Sequence, residues 1–439
     1  MQMRASLLRQ IKKEEHQIVH LVFIGTKPDI IKQAPIYHSL KRRGELVLLC
    51  HTGQHFDYNN SKAILTELKL KPDIRFRISG SISEKLSQII DETSRLIKSL
   101  RQIDKITIPY VHGDTLTACG VSLGCIFEKV APVHIEAGLR TMTPLPKIYK
   151  KHIANLAKGH FDYDEYLKDI RNIHNYEFGS FEPFPEQIDT RMVDTISAIR
   201  FAPNTINYNN LISERNLTSG ITTVGNTISD MVAETLIKIS HDKKPTKKSQ
   251  RDYILFTIHR RETCENKKRF RVVLDILEIL LANNCSVVLI LHPMFMRGVK
   301  SIDRNFVRRT AKKYPNTFIA TKPIPNYIDA IKTINNCRIV ITDSGGIQEE
   351  ASILGKRCIT LRYGTDRIET VTSGNNVLAP LINSTFAISI INHALQDPTP
   401  KTISLYGKNV ADKIVNHVMQ HVSTENGLFR TEEQRMDLL

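Results

Sequence analysis

Ile18-Val19-His20-Leu21-Val22-Phe23-Ile24, followed at once by Gly25-Thr26-Lys27-Pro28-Asp29-Ile30-Ile31-Lys32, is the stretch on which the fold turns. The first seven residues form a short apolar run rich in β-branched side chains, the pattern of a buried strand. The remainder begins a helix, because Pro28 suits the opening helical positions, where its missing N–H and fixed φ cost nothing. A strand that passes through a short loop into a helix is the corner of a βαβ unit, and its carboxyl edge is where α/β proteins bind ligands. The loop lacks the three spaced glycines of a dinucleotide site and the Gly-Lys-Ser/Thr of a P-loop, so neither cofactor is expected. Lys32 lies one turn past Pro28 on the same face, as a solvated lysine or as a group reaching back toward a ligand.

The same alternation recurs outward from this corner. Candidate strands are Leu46 to Cys50, Ile106 to Val111, Val133 to Ile135, Ala198 to Phe201 and Thr222 to Val224. A second series comprises Tyr253 to Thr257, Val287 to Leu291, Thr317 to Ala320, Arg338 to Thr342 and Cys358 to Leu361. Each series suffices for its own doubly wound sheet, so the fold class expected is α/β with two Rossmann-like domains facing a central cleft. The domains are placed at residues 1–228 and 229–439, with the last helix packing back on the first domain. Residues 143–183 break the rhythm: they are rich in Lys, Tyr, Phe and Asp, show no clean strand, and read as an insertion in the first domain with two short helices.

At 439 residues with 41% hydrophobic content, the chain has the composition of a globular protein too long for one core of usual size. No apolar stretch approaches the roughly 20 residues that cross a bilayer, and the basic start resembles no signal peptide, so a cytoplasmic protein is expected. Seven cysteines without a CxxC pair read as reduced core thiols. The net charge of +16 does not read as nucleic-acid binding, because the basic residues are dispersed and no nucleic-acid module appears. A positive field also draws small anions such as a nucleotide diphosphate. The densest basic run, Lys243 to Arg251, is interrupted by Pro245 and Ser249 and reads as a solvated loop.

Three acidic residues lie where chemistry can use them. Asp114 and Glu136 each follow an apolar strand at its carboxyl end, and Glu186 opens a helical pattern after Phe184-Pro185. Singly each could be a cap or an ion-pair partner, but together they can divide acid and base work. In the second half, strand Ile339 to Thr342 leads into Asp343-Ser344-Gly345-Gly346 and a helix. Glycines there let backbone N–H groups approach a phosphate, and the helix adds its positive end. Glu350, one turn deeper, can accept hydrogen bonds from ribose hydroxyls. His259, Arg260 and Arg261 follow strand Tyr253 to Thr257 and offer cationic donors to a diphosphate.

The motifs GTKPDIIK (Gly25 to Lys32), TGQH (Thr52 to His55), HGDT (His112 to Thr115), HIEAGLRT (His134 to Thr141), PFPEQ (Pro183 to Gln187), VGNT (Val224 to Thr227), HRRE (His259 to Glu262), LHP (Leu291 to Pro293), TDSGGIQEEA (Thr342 to Ala351) and RYGTDRIETV (Arg362 to Val371) follow one another along the chain. In this order the chain resembles the non-hydrolysing UDP-N-acetylglucosamine 2-epimerases, over roughly residues 18 to 380. The resemblance implies a glycosyltransferase-B-like fold. It also implies interconversion of UDP-N-acetylglucosamine and UDP-N-acetylmannosamine through elimination of UDP to 2-acetamidoglucal and its re-addition. It assigns Asp114, Glu136 and Glu186 as acid/base carboxylates, Lys32 as the active-site lysine and His259 as the histidine that assists UDP departure. Ser344, Gly345, Gly346 and Glu350 match the UDP-binding loop, with Glu350 on the ribose, and Lys27 stands where the family usually has an arginine. No metal or nicotinamide is expected, and a homodimer is expected by resemblance alone.

The chain departs from the family pattern at Ile188-Asp189-Thr190, where Ile-Asn-Arg is usual, and in its long segment before Pro183. Features associated with effector binding are not recognisable around Ser79 to Ser83. Other readings are an epimerase of a modified UDP-sugar, a hydrolysing relative, a silent UDP-sugar-binding paralogue, and a glycosyltransferase, which has no need of the carboxylate trio.

Overall fold

The computed structural model describes residues 5–54, 58–214, 220–241, 252–397, 404–422 and 427–429. Run Lys243 to Arg251 and His55 of TGQH lie outside the described residues. The chain divides into two compact units: Met1–Leu139, Phe184–Met231 and Tyr406–Leu439 form unit 1, and Arg140–Pro183 with Val232–Leu405 form unit 2.

Unit 1 contains the strands β1 (Ile18–Ile24), β2 (Val47–His51), β3 (Ile74–Arg75), β4 (Ile106–His112), β5 (Val133–Ile135), β6 (Ile199–Ala202) and β7 (Ile221–Thr223). They pair in the order β3-β2-β1-β4-β5-β6-β7, every pair parallel. Six of the seven β1 residues are buried, which is why this strand reads as a continuous apolar run: a parallel sheet is covered on both faces. The chain leaves β1 on one side of the sheet and returns through β4 on the other, so the strand order reverses between them and their carboxyl ends flank a crevice.

Unit 2 repeats the plan with β8 (Tyr253–Thr257), β9 (Ser286–Ile290), β10 (Phe318–Thr321), β11 (Ile339–Thr342), β12 (Arg357–Thr360) and β13 (Asn376–Leu378), ordered β10-β9-β8-β11-β12-β13 and again parallel. Its reversal falls between β8 and β11. All seven cysteines are free thiols, six of them buried. No helix among the described residues is long and apolar enough to cross a membrane.

The division differs from a single cut at 228/229 in two places. Residues 143–183, expected as an insertion in the first domain, belong to unit 2. Their aromatic side chains fasten them there: Tyr149 Oη donates to the Tyr363 carbonyl at 2.6 Å, Tyr166 Oη donates to the Leu378 carbonyl at 2.5 Å, and Phe161 packs edge-on against Phe386. The segment forms two helices, Pro146–Ala157 and Tyr163–Arg171, enclosed by a short antiparallel strand pair of Thr143–Pro144 with Tyr176–Glu177, where no strand was expected. The terminal helix Val410–His421 belongs to unit 1, where the Asp230 carboxylate accepts from the N–H groups of Val410 and Ala411, and Asp412 accepts from Ser39 Oγ.

Candidate active site

Helix α1 (Lys27–Arg42) starts with a reciprocal cap. Thr26 Oγ1 accepts from the Asp29 N–H at 3.4 Å while the Asp29 carboxylate accepts from the Thr26 N–H at 3.0 Å. The cap fixes the first turn, and the next turn carries Lys32 inward. Lys32 is only 3% exposed, so the solvated-lysine alternative is excluded. Its Nζ meets Glu136 Oε1, the Thr227 hydroxyl donates to its backbone carbonyl at 2.7 Å, and Asn226 Nδ2 donates to the same Glu136 oxygen at 2.6 Å.

Glu136 sits just beyond β5, 4% exposed, with φ +67. A left-handed glutamate costs of order 1 kcal/mol, a strain that packing must hold in place. His112, the last residue of β4, brings Nε2 to 3.5 Å from Glu136 Oε2 and Nδ1 to 3.8 Å from Asp29 Oδ1. Gly113 follows at φ +61, and a Cβ there would lie 3.1 Å from Glu136 Oε2. Asp114 is next, half-buried in the turn before Thr115, whose hydroxyl caps helix α2 (Leu116–Phe127) by accepting from Ala118 N–H. Lys27 is partly exposed at the first position of α1. The loops after β1, β4 and β5 therefore gather Lys32, His112, Asp114 and Glu136 at one end of the unit 1 sheet. Glu186 opens helix α3 (Glu186–Ile196), which packs against α2.

His134 supports this arrangement from beneath: its Nδ1 lies 2.8 Å from Asp194 Oδ1 on α3 and its Nε2 lies 2.9 Å from the Gly113 carbonyl. His112, His134, Asn226 and Asp194 went unassigned as individual residues, although the first three lie inside the HGDT, HIEAGLRT and VGNT motifs.

In unit 2 the reversal point is tied by Asp343. This fully buried carboxylate accepts from the backbone N–H of His259 at 3.0 Å and of Arg260 at 2.9 Å, joining the loops after β8 and β11. Burial pushes its carboxyl above the usual range despite those bonds and the neighbouring arginines. Ser344 precedes helix α4 (Gly345–Ile353) without capping it through its side chain. A Cβ on Gly345 would stand 3.3 Å from Asp366 Oδ2, whereas Gly346 has open space around it. Glu350 lies in the second turn, 8% exposed. Two glycines at a helix start leave the N–H groups approachable by a phosphate.

Behind the helix start, Arg362 Nη1 holds Asp366 at 2.6 Å, Arg367 Nη1 holds it at 2.7 Å, and Arg367 Nε bonds Glu349 at 2.5 Å. Burial alone would raise Asp366; the charges of Arg367, Arg362 and Arg260 outweigh it and hold that carboxyl far below its ordinary value. The expectation of a cationic His259 is corrected here: burial, then Arg260 and Arg362, push its imidazole well below the ordinary histidine value, so it is neutral at pH 7. His292 lies beside it with its ring tilted, centroids 5.1 Å apart, and is likewise lowered, to about 4. Arg261 is exposed. Charge at this site therefore comes from Arg260 and Arg362, the latter read in the sequence only as part of a motif.

Two doubly wound parallel sheets, each with charged and glycine-bearing loops at its reversal point, define a Rossmann-like α/β protein of the glycosyltransferase-B type. Residues 38–165 and 177–420 match the family described as UDP-N-acetylglucosamine 2-epimerase. The UDP-N-acetylglucosamine 2-epimerase of Methanocaldococcus jannaschii is 30% identical over 367 residues, which cover 81% of this chain and 87% of the relative. The UDP-2,3-diacetamido-2,3-dideoxy-D-glucuronate 2-epimerase of Pseudomonas aeruginosa is 28% identical over 366 residues, covering 82% and 87%. The crystal structure of the M. jannaschii enzyme in complex with UDP-GlcNAc and UDP superposes with a TM-score of 0.73 at 27% identity, over 92% of this chain and 99% of that one. The chain belongs to the UDP-N-acetylglucosamine 2-epimerase family.

Proposed function

We propose that this protein interconverts UDP-N-acetylglucosamine and UDP-N-acetylmannosamine by eliminating UDP together with the C2 proton, then adding UDP back with a proton delivered to the opposite face of C2. The observation that carries the reading is the buried cluster around Glu136: a glutamate in left-handed backbone, against Lys32, His112 and Asn226, at the carboxyl end of a parallel sheet. Strain of this kind is kept where geometry matters to chemistry. In the proposed reaction Asp114, Glu136 and Glu186 remove and return the C2 proton, and Lys32 supplies the compensating positive charge. Unit 2 takes the nucleotide: the α4 N–H groups at Ser344, Gly345 and Gly346, with Arg260 and Arg362, meet the charge that develops on departing UDP. His259, being neutral, contributes an N–H hydrogen bond rather than a charge. Glu350 accepts from the ribose hydroxyls, and Lys27 is placed to contact the substrate.

Each step is a proton transfer or the cleavage or re-formation of a C–O bond, so the reaction draws on these side chains without a cofactor. A homodimer and a cytoplasmic site belong to the same reading, and sedimentation of the purified protein measures the first. A second substrate class is favoured by one finding. A relative named for a diacetamido glucuronate is nearly as similar as one named for N-acetylglucosamine, so shared chemistry does not fix the sugar. Incubation with UDP-N-acetylglucosamine, and in parallel with the 2,3-diacetamido uronate, followed by NMR of the products, tests both. Mannosamine-configured nucleotide sugar is expected from the first. Free N-acetylmannosamine with UDP would indicate hydrolysis instead.

A further inference from the structure

Helix α3 carries a second carboxyl group behind Glu186. Asp189 follows at i+3 in the same first turn, which places its Cβ about 5–6 Å from that of Glu186. It is 6% exposed, and its Oδ2 is buried without a hydrogen-bond partner among the described residues. Its carboxyl also accepts the thiol of Cys119, from α2, the helix packed against α3. Cys119 is itself buried and its thiol is pushed up to about 12 by that burial and then by Asp189, so it remains S–H and brings no charge. Among the described residues, the groups that act on Asp189 are Glu186 on its own helix and the neutral thiol of Cys119 on the neighbouring one.

The two carboxyl positions are unequal. Glu186 occupies the first turn, where the unpaired helix N–H groups favour an anion. Asp189 lies in that turn too, but it is buried whereas Glu186 is partly exposed. Burial, and then the Glu186 charge, push Asp189 up to about 7. Of two neighbouring carboxyl positions the drier one favours the neutral form, so the proton resides on Asp189.

We propose that Asp189 is a positioning residue that keeps one proton beside Glu186, so that α3 presents a single negative charge over two carboxyl groups near neutral pH. Glu186 then meets its substrate with a neutral neighbour below pH 7 and with a second anion above it. The consequence for turnover rests on Glu186 acting in proton transfer as proposed above; the protonation state does not.

The test uses the full chain with aspartate 13C-labelled at the side-chain carboxyl. A carboxyl signal titrating near pH 7 is expected, absent in Asp189→Asn and moved toward ordinary acidic values in Glu186→Gln. Aspartate signals that all titrate below about pH 5, or a step that Glu186→Gln leaves in place, would overturn the shared proton, whether or not the protein turns over substrate. In the pH dependence of kcat/KM, the wild type is expected to show an inflection near 7 that the nearly isosteric Asp189→Asn lacks. Superimposable profiles would overturn the positioning role.

Discussion

Replacing Glu136 by Gln keeps the side-chain shape and an oxygen for Asn226, but removes the charge that Lys32 faces. Both members of the pair are at least 96% buried. Removing one partner from such a pair strands a charge in low dielectric and costs about 3–5 kcal/mol. Lys32→Met strands the carboxylate and costs a similar amount. The double variant leaves neither charge, so its loss falls well short of the sum, with a coupling of at least about 2 kcal/mol. A chain of two units need not unfold in one step, so the assay is hydrogen exchange at the amides of β1 and β5, read in increasing urea. Single losses below about 1 kcal/mol, or strict additivity, would refute the picture of a dry, mutually dependent pair.

Gly113→Ala forces a side chain into φ +61 and against the Glu136 carboxylate, so a stability loss of about 1 kcal/mol is expected, with turnover falling more than substrate binding. Asp366→Asn leaves two buried arginines underpaired, costing about 3–5 kcal/mol at pH 7. Because the Asp366 carboxyl is depressed in the folded state, its stabilisation is present above the unfolded value near 3.9 and is lost as pH falls toward the folded one; the gap from wild type in acid melts should narrow below about pH 4. Asp189 has the opposite sign: raised to about 7, it favours the fold fully only below about 4, so Asp189→Asn should gain on wild type between pH 4 and 7, by up to about 4 kcal/mol in urea melts above that range. Glu350→Ala is expected to weaken UDP about 10- to 150-fold by calorimetry with the fold intact, through loss of a charged acceptor worth about 1.5–3 kcal/mol.

Strands buried on both faces announce themselves as apolar runs, which is why β1, β5 and β8 were legible to the residue. Most other boundaries moved by one or two positions. Ile74–Arg75 and Asn376–Leu378 were not read at all, because a two- or three-residue edge strand has too few side chains to show a period. Residues 143–183 were misplaced because what fastens them is tyrosine hydroxyls reaching carbonyls some 200 residues away, a contact with no local signature. The positions of Asp114, Glu136 and Glu186 at element ends could be read from strand-turn-helix order. That Lys32 turns inward could not, since its burial depends on Glu136, 104 residues along the chain. The neutrality of His259 likewise follows from burial in the folded chain, then from its neighbour Arg260 and from Arg362, which lies far along the sequence.

The most direct test of C2 epimerisation is an incubation of the wild-type protein with UDP-N-acetylglucosamine in heavy water, followed by proton NMR of the C2 position. Loss of the C2 proton signal through deuterium incorporation is expected, together with UDP-N-acetylmannosamine, and Asp114→Asn and Glu136→Gln should each slow it by about 10²- to 10⁴-fold. Binding of the nucleotide sugar with full retention of the C2 proton and no mannosamine product would contradict it.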